Sequence, residues 1–197
     1  MAQMVQFDLY AVAATTSEIK LFQISTGVGG KGHIQGTTSL AKSCTLVEHR
    51  KEIIAVNFDA DLSASIAFDH KLVLYRLSGD LKQARQTKLL FSHHFGEEVV
   101  QEISQVAIKK VSVAPGAASG DKEQVYVAIS DATGFTVWHL TLDKRGESVE
   151  SGPTQVSRVD MAHNGEHIIS MSFTTIGEDS YLVTSSGLDQ RVNFWRY

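Results

Sequence analysis

One segment of the sequence has the spacing of a zinc-peptidase motif. Residues 163–167 read HNGEH, so that Glu166 and His167 follow three and four residues after His163. This pattern binds zinc when both histidines lie on one face of a helix. Gly165 disfavours a helix here, and the next residues, IISMSF, read as a strand. We therefore predict that the segment binds no metal.

Three further segments have the residue types of a binding site without its context. Residues 27–32, GVGGKG, fit a dinucleotide loop, but the following HIQGTTSLAK lacks the helical period that such a loop requires. The pair His93 and His94 has no cysteine or carboxylate cluster beside it, and we interpret it as part of an exposed loop. Cys44 has no adjacent basic residue that would activate it, and we expect it in the core. We predict no cofactor and no enzymatic activity.

The composition is that of an ordinary globular protein. Of 197 residues, 43% are hydrophobic and 20% are charged, and the net charge of −4 gives no overall basic field for nucleic acid. A single cysteine excludes an internal disulfide and suits a reducing compartment. Neither a signal peptide nor a membrane-spanning segment is predicted. We expect a cytoplasmic protein, with the nucleus as the alternative location, and no membrane association.

One β-hairpin unit recurs four times along the chain. Each unit ends in an alternating strand with a terminal aromatic residue, in the segments IKLF, LVLY, FTVW and VNFW. A polar turn and a small apolar strand precede each of them, which is the pattern of a hairpin. The units are roughly 50–65 residues apart, longer than the commonest repeats built from four strands, so insertions must separate the strands. The pattern predicts an all-β fold, although residues 96–110 fit either a short helix or a strand.

Two of the four units also carry a histidine and an aspartate at matching positions. In both units the aspartate lies six residues before the aromatic residue. A buried imidazole, carboxylate and indole are tolerated only if they satisfy one another, with a hydroxyl linking the imidazole to the aromatic residue. The candidate network residues are His49, Ser65, Asp69 and Tyr75 in the second unit and His163, Ser185 or Ser186, Asp189 and Trp195 in the fourth.

The first and third units depart from this pattern. The first has Thr16 at the aspartate position, and the third has Ala132 there, with Asp131 one residue away. Ser104 stands near the place of the histidine in the third unit. We expect these two units to be held together by packing alone.

The order of histidine, strand, strand, Asp-containing turn and strand ending in tryptophan resembles the WD-repeat β-propellers. In that family the histidine, the turn aspartate, a strand serine or threonine and the tryptophan hydrogen-bond to one another and have no catalytic role. The resemblance implies a single partial propeller over residues 1–197, with two complete and two partial blades that belong to a larger ring. The expected blades are residues 1–47, 48–92, 93–158 and 159–197.

The two partial blades are expected at the ends of this sequence. The first begins at its second strand, near Leu9, and the fourth lacks an outer strand after Tyr197. Open sheet edges are normally paired or covered. We therefore expect a protein partner, a longer parent polypeptide or a second copy to supply the missing strands. The segment MVQF could close only a compact four-bladed ring.

A narrower resemblance concerns three short strings. LDQRVNFWR, the histidine pair before the third unit and the Ala-His that opens the fourth are similar to WD-repeat subunits that partner a tRNA anticodon-loop ribose methyltransferase. This likeness implies an accessory subunit that positions the tRNA or the enzyme. We predict a non-catalytic scaffold for protein assembly, with that accessory role and an indirect association with tRNA as the alternative. The residues of a basic contact patch would be Lys109, Lys110, Lys144 and Arg145.

Overall fold

The computed structural model describes residues 7–14, 18–28, 34–35, 40–76, 88–96, 102–112, 122–143 and 148–197, and these residues form fifteen strands and no helix. All strand pairings within the four sheets are antiparallel. The prediction of an all-β fold is therefore confirmed. Lys144 and Arg145 of the expected basic patch, and Thr16, lie outside the described residues.

The first and second sheets come from the first half of the chain. In the first sheet, β2 lies between β1 and β4, and the short β3 pairs with the end of β2. In the second sheet the strands follow in sequence order from β5 to β8. The bounds are β1 (Phe7–Ala14), β2 (Glu18–Val28), β3 (Ile34–Gln35), β4 (Leu40–Val47), β5 (Ile53–Asp59), β6 (Leu62–Ala67), β7 (Lys71–Arg76) and β8 (Lys88–His94).

The third and fourth sheets differ in the number of their strands. The third has four strands in sequence order, from β9 to β12, whereas the fourth has three, from β13 to β15. The bounds are β9 (Gln105–Ser112), β10 (Glu123–Ser130), β11 (Gly134–Leu142), β12 (Val149–Asp160), β13 (Ser170–Ile176), β14 (Asp179–Ser186) and β15 (Arg191–Arg196). The segment that fitted a helix or a strand is thus a strand from residue 105 onwards, and residues 97–101 are not among the described ones.

Two of the expected blade boundaries fall inside strands. The boundary after residue 92 divides β8, because its ladder with β7 continues to the pair of Lys71 and His94. The boundary after residue 158 divides β12, because its ladder with β11 continues to the pair of Gly134 and Asp160. In both places the outer strand extends two residues beyond the expected boundary.

Three hydrophobic clusters lie between consecutive sheets. The first joins Ile19 of the first sheet to residues of the second, among them Val73 and Tyr75. The second cluster lies between the second and third sheets, and the third lies between the third and fourth. Side chains of a strand alternate between its two faces. The second and third sheets therefore bury apolar side chains on both faces.

Candidate functional site

A chain of hydrogen bonds links four side chains of the fourth sheet and its preceding segment. His163 Nδ1 lies 2.7 Å from Asp189 Oδ2, and His163 Nε2 lies 2.8 Å from Thr184 Oγ1. The indole Nε1–H of Trp195 donates to the same Thr184 oxygen at 2.9 Å. We call these residues the fourth-sheet network. It unites three predicted residues, whereas the predicted hydroxyl of Ser185 or Ser186 is wrong.

The hydroxyl belongs to Thr184 because the turn of the fourth unit is one residue longer than that of the second. Four residues separate β14 from β15, but only three separate β6 from β7. Thr184 pairs with Asn193, two residues before Trp195, just as Ser65 pairs with Val73, two residues before Tyr75. The oxygen of Ser186 is buried without a hydrogen-bond partner. Strand register, rather than distance from the aspartate, identifies the hydroxyl.

The hydrogen-bond pattern of the fourth-sheet network is consistent with one neutral tautomer of His163. The Trp195 N–H donates to Thr184, whose own O–H is then free to donate to His163 Nε2. The proton on His163 Nδ1 donates to the Asp189 carboxylate. Every group of the network has a partner in this arrangement. The order of hydroxyl, imidazole and carboxylate is also that of a nucleophilic triad.

Burial prevents this hydroxyl from acting as a nucleophile in the described arrangement. Thr184 has no exposed surface, and His163 is 1% exposed. The Thr184 oxygen also accepts the Trp195 N–H, which engages one of its two lone pairs. A catalytic hydroxyl must come within reach of the substrate. The arrangement can therefore lock the sheet, but it offers no reactive oxygen at a surface.

The second sheet contains a related network. His49 Nε2 lies 2.8 Å from Ser65 Oγ, and His49 Nδ1 lies 3.2 Å from Asp69 Oδ1. Burial lowers the pKa of His49 and outweighs the Asp69 carboxylate, which raises it. Burial would raise the pKa of Asp69, but hydrogen bonds from Arg50 N–H and His49 lower it overall. The structure thus brings together His49, Ser65 and Asp69, and Tyr75 packs in the adjacent core.

The third sheet has a polar network of its own, so the expectation of packing alone is wrong. Asp131 Oδ1 accepts from the N–H groups of Thr133 and Gly134, and its Oδ2 accepts from Arg158 Nη1 at 2.8 Å. Burial would raise the pKa of Asp131, but the hydrogen bonds from Arg158 and Thr133 lower it. An arginine on β12 here takes the place of the histidine of the second and fourth sheets. No sequence pattern pointed to it, because Arg158 lies after the unit's aromatic residue.

Ser104 forms the second polar contact of the third sheet. Its hydroxyl lies 2.8 Å from the Ser130 hydroxyl and donates to the Ile168 carbonyl at 3.0 Å. Ile168 precedes β13, so this contact joins the third sheet to the segment that leads into the fourth. The indole N–H of Trp138 is buried without a partner, unlike that of Trp195. The third sheet thus uses its serine for a contact between sheets.

The two histidine motifs lie in different surroundings from those of metal sites. HNGEH lies in a turn rather than in a helix. The side chain of His167 is exposed, and its Nε2 lies 3.9 Å from Glu102 Oε2. His93 belongs to β8 and not to a loop, and its ring makes an edge contact with Phe95 at 4.7 Å. Burial lowers the pKa of His93, and the neighbouring His94 adds to the effect. No group of three or more metal-binding side chains occurs within the described ranges.

The two described lysines of the expected basic patch are paired with acids. Lys110 Nζ lies 2.8 Å from both Asp61 and Glu123, and Lys109 Nζ lies 3.8 Å from Asp59. Burial would lower the pKa of Lys110, but its hydrogen bonds to Asp61 and Glu123 raise it overall. Both lysines lie on β9 rather than on an insertion. Their charge ties the third sheet to the second, so these two lysines do not form a free cationic surface.

Arg76 completes this charge cluster. Its guanidinium donates to Asp61 at 2.6 Å and also to Glu123. Arg76 ends β7, whereas Glu123 begins β10. Charge-assisted bonds of this kind fix the positions of neighbouring elements. We interpret the cluster as a link between the second and third sheets.

The fourth sheet carries an apolar face that the described residues leave exposed. Val192 and Phe194 lie three residues and one residue before the aromatic Trp195, and they are 58% and 56% exposed. Ile176, on the same face of β13, is also exposed. We call this surface of Ile176, Val192 and Phe194 the open face. The opposite face of the sheet, with Leu182, packs against the third sheet.

The equivalent positions of the second and third sheets are buried. Leu72 and Leu74 precede Tyr75 by the same spacing, and both are at most 1% exposed within the cluster that faces the third sheet. Phe135 and Val137 precede Trp138 in the same way. They are 2% and 4% exposed within the cluster that faces the fourth sheet. Each of these faces is covered by the next sheet along the chain.

A cavity of about 390 Å³ lies beside β15, between the third and fourth sheets. The third sheet contributes aromatic and aliphatic side chains, and β15 contributes Trp195 and the residues after it. Exposed Val156 and Tyr197 belong to the lining, so the cavity meets solvent. We call it the edge cavity. Its lining is Tyr126, Phe135, Val137, Val156, Ser157, Val159, Leu182, Phe194, Trp195, Arg196 and Tyr197.

Comparison with known proteins does not assign the chain to a family. No family model matches it, and no curated protein matches it. The computationally designed Ika8 protein superimposes with a TM-score of 0.36 at 11% identity, over 95% of this chain and 57% of that one. The N-terminal domain of Nup159 gives a TM-score of 0.31 at 9% identity, over 91% of this chain and 62% of that domain. The chain therefore spans less than two thirds of either structure.

Proposed function

We propose that the chain is a non-catalytic WD-repeat β-propeller segment that acts as a scaffold in protein assembly, with the open face as a docking surface for a β-sheet of a protein partner. The main support is the exposure of Val192 and Phe194. The corresponding side chains of the two preceding sheets are buried by a following sheet. A partner sheet on the open face would repeat a packing arrangement already present twice in the chain.

The polar networks support the WD-repeat part of this proposal. The second and fourth sheets each combine a histidine, a turn aspartate and a strand hydroxyl, and the fourth adds the tryptophan N–H. These buried groups satisfy one another, as the family resemblance requires. The buried hydroxyls also support a role without catalysis.

The alternative role beside a tRNA methyltransferase gains no support from the described residues. Lys109 and Lys110 are the described members of the expected basic patch, and both have acidic partners. RNA binding relies on cations that exchange their counterions for phosphates. Lysines held by carboxylates are poorly suited to that exchange.

No helix within the described ranges is long and apolar enough to span a membrane.

Site-specific photo-crosslinking in cells tests the docking surface. The photoreactive amino acid p-benzoylphenylalanine replaces Phe194, and the matched control carries it at Phe68, which is exposed in a turn of the second sheet. We expect a discrete protein adduct from position 194 and none of the same size from position 68. Val192→Asp should abolish the adduct, because it places a charge in the apolar contact. Absence of a discrete adduct from position 194, or equal adducts from both positions, would refute the proposal.

A further inference from the structure

The strand β15 has one paired edge, in contrast to the equivalent strands of the two preceding sheets. β7 lies between β6 and β8, and β11 lies between β10 and β12, whereas β15 pairs with β14 and with no other described strand. The second edge of such a strand presents backbone N–H and C=O groups that can pair with another chain. A polypeptide segment added there would run antiparallel to β15, as β8 and β12 do to their neighbours.

The edge cavity lies along this same strand. Its walls come from the exposed Val156 of β12, from Phe135 and Val159 beneath, and from Trp195 and Tyr197. Its volume of about 390 Å³ falls within the usual range of binding pockets, about 300–1,000 Å³. Main-chain pairing next to apolar pockets for alternate side chains is how extended peptides bind to sheet edges. Both parts of such a site are present beside β15.

We propose that β15 and the edge cavity bind an extended segment of a partner protein, which has apolar side chains at alternate positions and acidic residues at both ends. In antiparallel pairing, the residues opposite Asn193 and Trp195 point toward the third sheet and into the cavity. Those opposite Val192 and Phe194 point to the other side. The inference rests on the proposed scaffold function and names the kind of segment that its partner supplies.

Charge at the two ends of β15 favours an acidic segment over a second copy of this chain. Arg191 begins the strand and Arg196 ends it, and both are exposed. Arg196 also pairs with Asp179 at 2.7 Å. Antiparallel pairing of β15 with β15 of a second copy over its full length would set these arginines opposite each other, which is unfavourable. Carboxylates at both ends of the partner segment instead complement them.

A short synthetic peptide serves as the probe. It has six residues, the length of β15, with valines at positions 2 and 4, threonines at positions 3 and 5 and a glutamate at each end. One control peptide has the same sequence but N-methyl groups on alternate amides, which removes backbone donors along one edge. The second control replaces the terminal glutamates with lysines. Binding is followed by the fluorescence of Trp195 in the Trp138→Phe variant of the full chain, and by calorimetry on the unsubstituted chain if that variant does not fold.

We expect saturable binding of the probe, and at least tenfold weaker binding of each control peptide. Val156→Asp should weaken probe binding at least tenfold, because it places a charged carboxylate in the apolar cavity that takes the valines of the probe. Val192→Asp adds the same charge to an equally exposed valine on the other face of β15, and it should change the affinity by less than twofold. Lack of saturable binding, equal binding of the N-methylated peptide, or no effect of Val156→Asp would overturn the site.

The same two variants separate this site from the open face. Phe194 belongs to the open face and also touches the edge cavity. A crosslink from position 194 that belongs to the open face should survive Val156→Asp and be lost in Val192→Asp, whereas a crosslink lost in Val156→Asp would belong to the edge site. Crosslinking without peptide binding would remove the strand-addition site and leave the docking surface. Peptide binding without crosslinking would remove the docking surface and leave the edge site.

Discussion

Replacement of Thr184 by valine removes the hydroxyl that joins the two halves of the fourth-sheet network. Valine has nearly the shape of threonine, so the change tests hydrogen bonds rather than packing volume. Thr184 contacts His163 Nε2 at 2.8 Å and accepts from Trp195 Nε1 at 2.9 Å. Both nitrogens lose their partner when the hydroxyl is removed. We expect Thr184→Val to destabilise the fold more than loss of an ordinary hydrogen bond would.

The size of the effect follows from the burial of the two nitrogens. His163 is 1% exposed, and a buried acceptor without a partner costs about 1–3 kcal/mol. The Trp195 N–H is only partly buried, so we assign it about 0.5–1.5 kcal/mol, since water can replace part of the lost bond. The expected loss in the free energy of unfolding is therefore about 1.5–4.5 kcal/mol. For a chain of this length, about 3 °C in the melting temperature corresponds to 1 kcal/mol.

Urea unfolding followed by circular dichroism measures this loss, with Ser186→Ala as the matched control. Ser186 also carries a buried hydroxyl on β14, but that hydroxyl has no partner, so its removal should be neutral or slightly stabilising. In the double mutant Thr184→Val, Trp195→Phe, the unpaired N–H is absent, and the cost should be less than the sum of the single costs. Equal costs for Thr184→Val and Ser186→Ala, or strict additivity in the double mutant, would refute the network.

Three further predictions follow from the other polar and close contacts. Burial lowers the pKa of His49 in the folded state below the ordinary value of 6.5. The unfolded state therefore binds more protons, and the free energy of unfolding falls as the pH drops from 6.5 toward 5. Urea unfolding at several pH values should show a flatter pH profile in His49→Gln, and an unchanged profile would contradict this. Asp131→Asn should cost about 1–2 kcal/mol, because it weakens the ion pair with Arg158. Asp160 is the exposed partner of the same guanidinium, so Asp160→Asn should cost less than about 1 kcal/mol. Equal losses of stability on thermal melting would argue against the buried pair. A Cβ at Gly134 would lie 1.9 Å from a carbonyl oxygen of β12, so Gly134→Ala should cost about 1–3 kcal/mol. At Gly187 the nearest contact of a Cβ would be 3.5 Å away, so Gly187→Ala should be nearly neutral in the same melting assay. A neutral Gly134→Ala would contradict the close approach.

Hairpin periodicity was sufficient to predict the all-β fold, because alternation and turn residues are local signals. The network aspartates were also found by spacing, because each lies six residues before an aromatic residue, and the histidines were found by their order ahead of a strand in both units. Thr184 was missed since the extra turn residue lies between it and Asp189, and a count along the chain cannot detect that shift. The register from Trp195 backwards does detect it, but register requires knowledge of which residues pair across the strands.

Ion pairs between residues on different strands account for the other errors. Lys109 and Lys110 appeared as an adjacent basic pair, yet their acidic partners Asp59, Asp61 and Glu123 are distant in the sequence or on another sheet. Arg158 and Asp131 are likewise separated by most of two strands. Neither pairing has a periodic signature, since ion pairs depend on how strands align rather than on a repeat. Sequence patterns therefore predicted the units, but not these ion pairs within and between the sheets.

The fourth-sheet network and the proposed strand-addition site are linked through β15. Asn193 Nδ2 donates to the Ala162 carbonyl at 2.8 Å. Asp189 accepts from the Arg191 N–H at 2.9 Å and also pairs with His163 at 2.7 Å, so the strand is held to the segment before β13 at two points. Trp195 is fixed by Thr184 and also lines the edge cavity. These bonds position β15 without requiring a neighbour on its second edge. A partner strand then binds to an edge that is already ordered, and less of its binding free energy is lost to ordering the site.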